Sequence, residues 1–369
     1  MTLRFRHETL VLPFRDPFRI ARAMDEGDRA ITVILELWET DDGPSGLVGL
    51  GEGFPDAYYG ETPATIAAVL PLLLKAVGPS AATLGEAAGA GDLEACRAAL
   101  ARAGETMDAA LGHNGAAKCA VDIALHDLVA KRLGLPLADL LGLSRVIPPT
   151  DFTIGIDRPD AVAERAARAG RFPALKIKVG GPADLETLEA VRRVYEGPIR
   201  VDANTGWQPE QGAALLPELA RLGVELVEQP FPAHRLDQLR WLQERSPLPI
   251  VADESAVTIR DLENLEGVVA GVNVKLAKCG GVGAAKRMLE QARRSGFRTF
   301  LGCMEETSVG IAASAAVASL AEWVDLDGCL LLADEPFEGL QLREDCRWRL
   351  GDGPGLGVAR RAGSATASA

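Results

Sequence analysis

The sequence predicts an α/β protein, a TIM-like (β/α) barrel with an appended α+β domain. Short apolar runs that each carry charged residues recur every 22 to 26 residues or so, the step of one strand plus one helix. The length of 369 residues suits one large barrel and a smaller domain. Hydrophobic residues make up 47% of the chain but aromatic residues only 5%, which favours an aliphatic core.

From residue 150 onward, segments that suit strands alternate with segments long enough for helices. The predicted barrel strands lie near 152–156, 174–179, 198–202, 224–228, 249–252, 271–275, 298–302 and 323–327. The predicted helices between them lie near 183–196, 209–222, 234–245, 258–266, 281–295 and 308–321.

The first third of the chain predicts mixed strands and helices. Residues 3–12 and 30–39 have strand character, and the Gly/Pro-rich stretch 49–60 predicts a loop. The predicted helices fill 62–111, with interruptions at Gly78-Pro79 and Gly89, and 116–133, ended by Gly134.

Composition excludes several classes of partner. A net charge of -13 argues against nucleic acid and anionic membrane surfaces. We expect no signal peptide and no uninterrupted apolar stretch long enough to span a bilayer, and therefore a cytoplasmic protein. The six cysteines show no CxxC spacing and are expected to be reduced thiols.

Lysine is used sparingly and in a cluster. Of the 39 basic residues, eight are lysines, and four of these lie in two short segments: Lys176, Lys178, Lys275 and Lys278. Arginine almost never loses its proton, whereas a buried lysine can act as a base. The cluster indicates acid/base chemistry, with chance as the alternative; Lys278 is assigned no role.

Lys176 and Lys178 lie two apart on a predicted strand, so their side chains point to the same face. Two neighbouring ammonium groups, partly buried, predict that the pKa of at least one falls toward neutrality. The alternative is an edge strand on which both lysines face solvent.

Asp202, Glu228 and Asp253 end three consecutive predicted strands. Three converging carboxylates repel one another without a cation, and hard oxygen ligands favour Mg²⁺. The alternative is three separate acids that cap helices or pair with arginine.

Lys275 follows on the next strand, across the ring from Lys178. With a base on each face of a carbon, one can remove a proton and the other can return one from the opposite side, which inverts the carbon. A metal can stabilise the enediolate that forms when a carbon next to a carboxylate is deprotonated.

These segments together resemble the enolase superfamily, in its muconate-lactonising subgroup, across essentially the whole chain. The segments are Lys176-Ile177-Lys178, Asp202-Ala203-Asn204, Val227-Glu228-Gln229-Pro230, Ala252-Asp253-Glu254-Ser255 and Asn273-Val274-Lys275 followed by Gly280-Gly281. The resemblance implies an enolase-type barrel in which Lys178 and Lys275 are the acid/base residues. It also implies that Lys176 stabilises the substrate carboxylate and that the three acids hold Mg²⁺.

The resemblance further implies that the α+β part caps the barrel. The predicted division is a capping domain at 1–125, the catalytic barrel at 126–335, and a C-terminal segment at 336–369 that returns to the capping domain. Loops near 15–30 and 50–60 are expected to close over the site.

Within the subgroup, Asp325 and Asp327 resemble the Asp-x-Asp of dipeptide epimerases, which binds the free amino terminus of a dipeptide. A structural pair that holds a neighbouring loop is the alternative. By the same resemblance, Cys303 and Glu305 belong to a seventh-strand segment at the substrate, and Thr153 on the first strand contacts it.

Two departures bear on the substrate. Alanyl-glutamate epimerases carry an apolar residue at the position of Glu305 and a capping-loop arginine at the position that aligns with Ala23, beside Arg22. An extra acid disfavours a glutamate side chain, so the expected dipeptide has a non-acidic or cationic second residue. We expect a homo-oligomer with this small-molecule substrate.

Other functions remain open at this point. They are an alanyl-glutamate epimerase, another enzyme of the subgroup (an N-acylamino acid racemase, an o-succinylbenzoate synthase or a cycloisomerase), and a non-catalytic metal-binding relative. The subgroup substrates without a free ammonium have no use for Asp325 and Asp327, which makes these two acids the discriminating residues.

Overall fold

The structure is a computed structural model that describes residues 2–23, 27–40, 43 and 46–362. Its N-terminal part is a three-stranded antiparallel sheet in the order β1-β2-β3, with helix α3 packed on β3 and helix α1 packed on α2 and α3. The bounds are β1 Leu3–Pro13, β2 Arg29–Glu39, β3 Val48–Gly53, α1 Pro63–Gly89, α2 Leu93–Ala110, α3 Gly115–Leu133 and α4 Leu137–Leu141, with a 3₁₀ turn at Ala57–Tyr59.

Eight parallel strands follow in one sheet, in sequence order, which confirms the predicted barrel. The strands are β4 Phe152–Ile154, β5 Leu175–Lys178, β6 Ile199–Asp202, β7 Val224–Glu228, β8 Ile250–Ala252, β9 Gly271–Val274, β10 Arg298–Leu301 and β11 Trp323–Val324. Each lies inside the segment predicted for it.

Helices connect these strands. Their bounds are α5 Pro159–Arg168, α6 Asp184–Arg192, α7 Pro209–Arg221, α8 Leu236–Gln243, α9 Asp261–Leu265, α10 Leu276–Cys279, α11 Val282–Arg294, α12 Ser308–Ala315 and α13 Gly328–Leu331, with a 3₁₀ turn at Ala318–Leu320. Because all eight strands run the same way, their carboxyl ends meet on one face, where barrel active sites lie.

The last described residues form short strand pairs and contact the N-terminal part. The strands are β12 Phe337–Glu338, β13 Gln341–Leu342, β14 Trp348–Arg349 and β15 Ala359–Arg360. The Leu356 N–H donates to Asp127 Oδ1 in α3 at 2.8 Å, and Arg360 forms an ion pair with Glu8 in β1. Residues 363–369 of the predicted C-terminal segment lie outside the described residues.

The loop predicted at 49–60 is wrong at its start, because strand β3 occupies 48–53. The glycines that indicated a loop alternate along this strand and face α3. A Cβ atom at Gly49 would lie 2.1 Å from the Ala124 carbonyl oxygen, and one at Gly51 would lie 1.9 Å from that of Ala120. Glycine is therefore required by the close approach of helix to strand.

The predicted interruption at Gly78-Pro79 is also wrong, since α1 runs unbroken from residue 63 to 89 with Pro71 and Pro79 inside it. This helix is long and apolar enough, by length and composition alone, to cross a membrane, with a mean hydropathy of 1.6. The expectation concerned an uninterrupted apolar stretch, and Lys75 lies within every 18-residue stretch of this helix. One such helix is weak support for a membrane span, and α1 packs against α2 and α3.

Glu52 in β3 joins the N-terminal part to the barrel. Its buried carboxyl group accepts hydrogen bonds from Thr32 Oγ1 at 2.8 Å, from Thr307 N and Oγ1 at 2.9 and 2.7 Å, and from Gly310 N at 2.8 Å. Burial raises the pKa of Glu52, and the hydrogen bonds oppose that rise. Glu52 therefore accepts from the first turn of α12 across the two parts of the chain.

Glu52→Ala should lower the free energy of unfolding by about 2 to 4 kcal/mol, because buried donors lose their acceptor. Urea denaturation measures this difference. Glu36→Gln is the matched control: Glu36 pairs with the exposed Arg6, and its loss should cost less than about 1 kcal/mol. Equal effects of the two substitutions would contradict the role given to Glu52.

Candidate active site

Lys176 and Lys178 lie on β5, between β4 and β6, and are 1% and 8% exposed. The alternative of a solvent-facing edge strand is therefore wrong. Leu175 and Ile177 alternate with them and are fully buried on the other face of the sheet. The strand thus aims both ammonium groups into the barrel.

Asp202 and Glu228 end β6 and β7, and Asp253 follows β8. All three are at most 1% exposed, and each offers an oxygen within 4.8 Å of those of the other two. Buried, hard carboxylate oxygens that converge in this way fit Mg²⁺. Burial and the charge of Asp202 raise the pKa of Glu228 to about 7, the expected result of crowding carboxylates without a cation.

The lysine ammonium groups supply the positive charge around these acids. Lys176 Nζ lies 2.8 Å from Glu228 Oε2, Lys178 Nζ lies 2.7 Å from Asp202 Oδ2, and Lys275 Nζ lies 2.9 Å from Asp253 Oδ2. Each lysine therefore has a carboxylate partner among the candidate metal ligands.

The pKa of at least one of Lys176 and Lys178 was predicted to fall, whereas the pKa of Lys176 is raised. Burial opposes its charge, but the negative charges of Asp325, Glu228 and Asp202 outweigh burial and raise its pKa. The same balance, with Asp253 as the main partner, raises the pKa of Lys275. The prediction considered the repulsion between the two ammonium groups and their burial, but it omitted the attraction of the acids.

Lys178 and Lys275 lie on opposite sides of the acids. Lys178 ends β5 and Lys275 follows β9, and these strands are four apart in a barrel of eight, with the three acid-bearing strands between them. A substrate carbon above the acids would have an amine on each side.

Lys278, to which the sequence assigned no role, is 4% exposed and holds Asp253 in place. Its Nζ donates to the Asp253 carbonyl at 2.6 Å, to Asp253 Oδ1, and to the Asn273 carbonyl at 2.9 Å. The clustering of lysines in an arginine-rich chain was the signal that pointed to it.

Asp325 and Asp327 lie just beyond β11 and contact the first barrel strand. Thr153 Oγ1 donates to Asp325 Oδ1 at 3.0 Å, and Thr153 N donates to Asp327 Oδ2 at 2.6 Å. Burial opposes charge on Asp325, but Lys176 at 2.7 Å lowers its pKa. Burial and the charge of Asp325 raise the pKa of Asp327.

A cavity of about 60 Å³ joins these groups. Eight of the predicted site residues line it: Thr153, Lys176, Lys178, Lys275, Cys303, Glu305, Asp325 and Asp327. The sequence named Arg22 in the capping loops and otherwise gave only ranges. The cavity is also lined by Arg22, by Phe18, Ile20 and Asp56 of these loops, and by Asn204, Met304 and Leu331.

Arg22, which lies beside the position at which alanyl-glutamate epimerases carry a capping-loop arginine, is already paired. Its Nη1 lies 2.6 Å from Glu254 Oε1 and its Nη2 lies 2.9 Å from Asp56 Oδ2. The guanidinium also lies over the Tyr58 ring, 4.8 Å from its centre. Arg22 therefore links the two capping loops to the barrel beside Asp253.

Two family models match the chain. Residues 6–142 match the mandelate racemase / muconate lactonizing enzyme N-terminal domain, and residues 160–362 match the enolase C-terminal domain-like family. Together they cover both the N-terminal part and the barrel.

Several characterised proteins are similar to this chain. An L-Ala-D/L-Glu epimerase of Bacteroides thetaiotaomicron is 43% identical over 66% of the chain and 64% of its own length. An L-Lys-D/L-Arg epimerase of Methylococcus capsulatus is 36% identical over 94% of the chain and 95% of its own length. The crystal structure of an Enterococcus faecalis dipeptide epimerase complexed with Mg and L-Leu-L-Tyr superposes with a TM-score of 0.85 at 30% identity, covering 98% of the chain and 100% of that protein.

Proposed function

The chain belongs to the mandelate racemase / muconate lactonizing enzyme family of the enolase superfamily, and we propose that it is a Mg²⁺-dependent dipeptide epimerase. The proposed reaction inverts the α-carbon of the C-terminal residue of an L,L-dipeptide. The observation that carries the proposal is the placement of Lys178 and Lys275 on opposite sides of three buried carboxylates. The relatives named as epimerases support the same reaction.

In the proposed mechanism one lysine takes the α-proton and the opposite lysine returns a proton to the other face of the carbon. Lys176 lies between the acids and Asp325, where its ammonium stabilises the substrate carboxylate. Asp202, Glu228 and Asp253 would hold Mg²⁺, which as a Lewis acid stabilises negative charge on that carboxylate. Lys278 keeps Asp253 oriented.

Asp325 and Asp327 are proposed to bind the substrate ammonium, which separates a dipeptide from the N-acylated and amine-free substrates of other members of the subgroup. Asp325→Asn and Asp327→Asn should each raise KM for a dipeptide about tenfold or more, since a charged hydrogen bond contributes about 1.5 to 3 kcal/mol. Steady-state kinetics measure this, with the exposed Asp345→Asn as control. Unchanged turnover in both variants would refute the dipeptide assignment.

The site favours a non-acidic or cationic side chain on the second residue. Arg22 is neutralised by Glu254 and Asp56, so it offers no free charge to a glutamate. Glu305 adds a further acid to the cavity wall. A cationic side chain near Glu305 is attracted by its carboxylate, whereas an acidic one is repelled.

A library of dipeptides incubated in deuterated buffer tests the substrate class. With Mg²⁺ present, α-hydrogen exchange should be fastest for second residues such as Lys or Arg, and it should stop when EDTA is added. Mass spectrometry follows the exchange, with the boiled enzyme as blank. Exclusive exchange of Ala-Glu would contradict the proposed preference.

A cytoplasmic location and a homo-oligomeric state stay predictions. Light scattering after size-exclusion chromatography tests the second.

A further inference from the structure

Helix α1 presents an apolar face to solvent. Nine of its 27 residues are buried, and twelve are exposed. At 3.6 residues per turn, the exposed residues fall within about 140° of the helix circumference, so they form one continuous face. They are Ala64, Thr65, Ala68, Pro71, Leu72, Lys75, Gly78, Pro79, Ala82, Thr83, Glu86 and Gly89.

The neighbouring helix α2 shows how unusual this face is. Four of the seven exposed residues of α2 are charged, namely Glu94, Arg102, Glu105 and Asp108, whereas only two of the twelve on α1 are charged. Leu72 on the α1 face is 58% exposed. A surface helix normally turns a charged or polar side to water, and a contiguous exposed apolar patch marks an interaction site.

The two charged residues of the face, Lys75 and Glu86, are separated by 11 residues, which is about three helical turns. They therefore lie on the same side of α1, about 17 Å apart along its axis. Neither side chain forms an ion pair or a hydrogen bond with another residue in the described part of the chain. One positive and one negative group on this face are thus available to a partner.

The spacing of these charges is self-complementary. If two antiparallel copies of α1 are related by a two-fold axis between positions 80 and 81, Lys75 of each copy lies opposite Glu86 of the other. A parallel pair would place like charges opposite each other, which is unfavourable. Pro79 and Ala82 lie nearest the axis, and their short side chains allow the two helices to approach closely.

We propose that the exposed face of α1 docks against the same face of a second copy of this chain, antiparallel and across a two-fold axis, with two Lys75–Glu86 ion pairs. Eighteen residues of α1 are at least partly exposed, close to the 20 to 30 residues that each partner contributes to a standard interface. The inference goes beyond the proposed function and does not depend on it, because none of the residues that line the cavity belongs to α1.

Charge reversal in the full-length protein tests the pairing. Lys75→Glu and Glu86→Lys should each raise the Kd of self-association about tenfold or more, because like charges then meet at both symmetric positions. The double variant, with both reversals, should restore association, since opposite charges meet again. Sedimentation equilibrium over a range of protein concentrations measures the Kd of each variant.

Arg102→Glu and Glu105→Lys on α2 are the matched controls, because they make the same charge changes on the neighbouring helix. They should leave the Kd unchanged. Ala82→Arg, which places a long cationic side chain beside the axis in both copies, should weaken association further. A monomeric wild type, an assembly that no α1 variant weakens, or a double variant no better than the single ones would overturn the proposal.

A lipid bilayer is the other environment that would cover an apolar helix face. In flotation with vesicles of phosphatidylcholine and phosphatidylglycerol, the wild type should stay in the soluble fraction, and its flotation with the vesicles would overturn the proposal. The α1 variants should exchange dipeptides at the wild-type rate per chain. Failure of the proposed function has a separate signature: the wild type exchanges no dipeptide of the library, whatever its state of association.

Discussion

Lys178→Ala and Lys275→Ala should each stop epimerisation, with kcat reduced by about 10²- to 10⁴-fold. Each substitution removes the proposed acid/base group from one face of the α-carbon, because the two lysines lie four strands apart in the eight-stranded barrel. The losses should be asymmetric. One variant should retain α-hydrogen exchange from the L,L-dipeptide and the other from the L,D-dipeptide, since the remaining lysine still reaches its own face.

Proton NMR in deuterated buffer follows exchange from each diastereomer separately. Lys286→Ala is the matched control, because Lys286 pairs with Glu290 on the surface of α11. It should exchange both diastereomers at the wild-type rate. If both catalytic-lysine variants lost exchange from the same diastereomer, the two-base mechanism would be wrong.

Loss of the metal should lower kcat at least as much as loss of either lysine. Removing Mg²⁺ with EDTA, or substituting Glu228→Gln, should lower kcat by about 10³-fold or more, since a Lewis acid contributes several kcal/mol to the stabilisation of developing charge. Glu228 is the middle member of three acids whose oxygens lie within 4.8 Å of one another. A neutral amide there removes one anionic ligand of the three.

Isothermal titration calorimetry of the metal-free protein measures the binding directly. Added Mg²⁺ should also raise the Tm of the wild type more than that of Glu228→Gln, because a ligand that binds only the folded state stabilises it. Glu218→Gln on the exposed face of α7 is the control and should bind Mg²⁺ normally. Undiminished activity after complete chelation would contradict the metal assignment.

The barrel was predictable because its signal is local and repeated. Each strand is a short apolar run, each connection is a helix, and strand order follows sequence order, so spacing alone placed all eight strands. The residues at the strand ends were predictable for the same reason. Parallel strands bring their carboxyl ends to one face, which converts a spacing along the chain into a cluster in space.

The errors have a different origin. Gly49 and Gly51 indicated a loop, yet they lie in strand β3. Glycine occurs at these positions because α3 approaches so closely that no Cβ atom would fit. Gly78-Pro79 indicated a break in a helix that remains continuous. In both cases the local preference was outweighed by contacts with residues far away in the sequence.

The electrostatics of the site also depended on distant residues. The pKa of at least one of Lys176 and Lys178 was expected to fall, but carboxylates from β6, from β7 and from beyond β11 surround the Lys176 ammonium and raise its pKa. Lys278 had no assigned role, because its partners are a carboxylate and backbone carbonyls that only the fold brings close to it.

Spacing and residue type along the chain were therefore enough to establish the barrel, the order of the charged groups around it and the chemistry that such a ring supports. Charge state and orientation were decided only by the folded barrel. These properties depend on which groups lie within about 3 Å of one another in a buried site, and that proximity is created only when strands from distant parts of the chain meet.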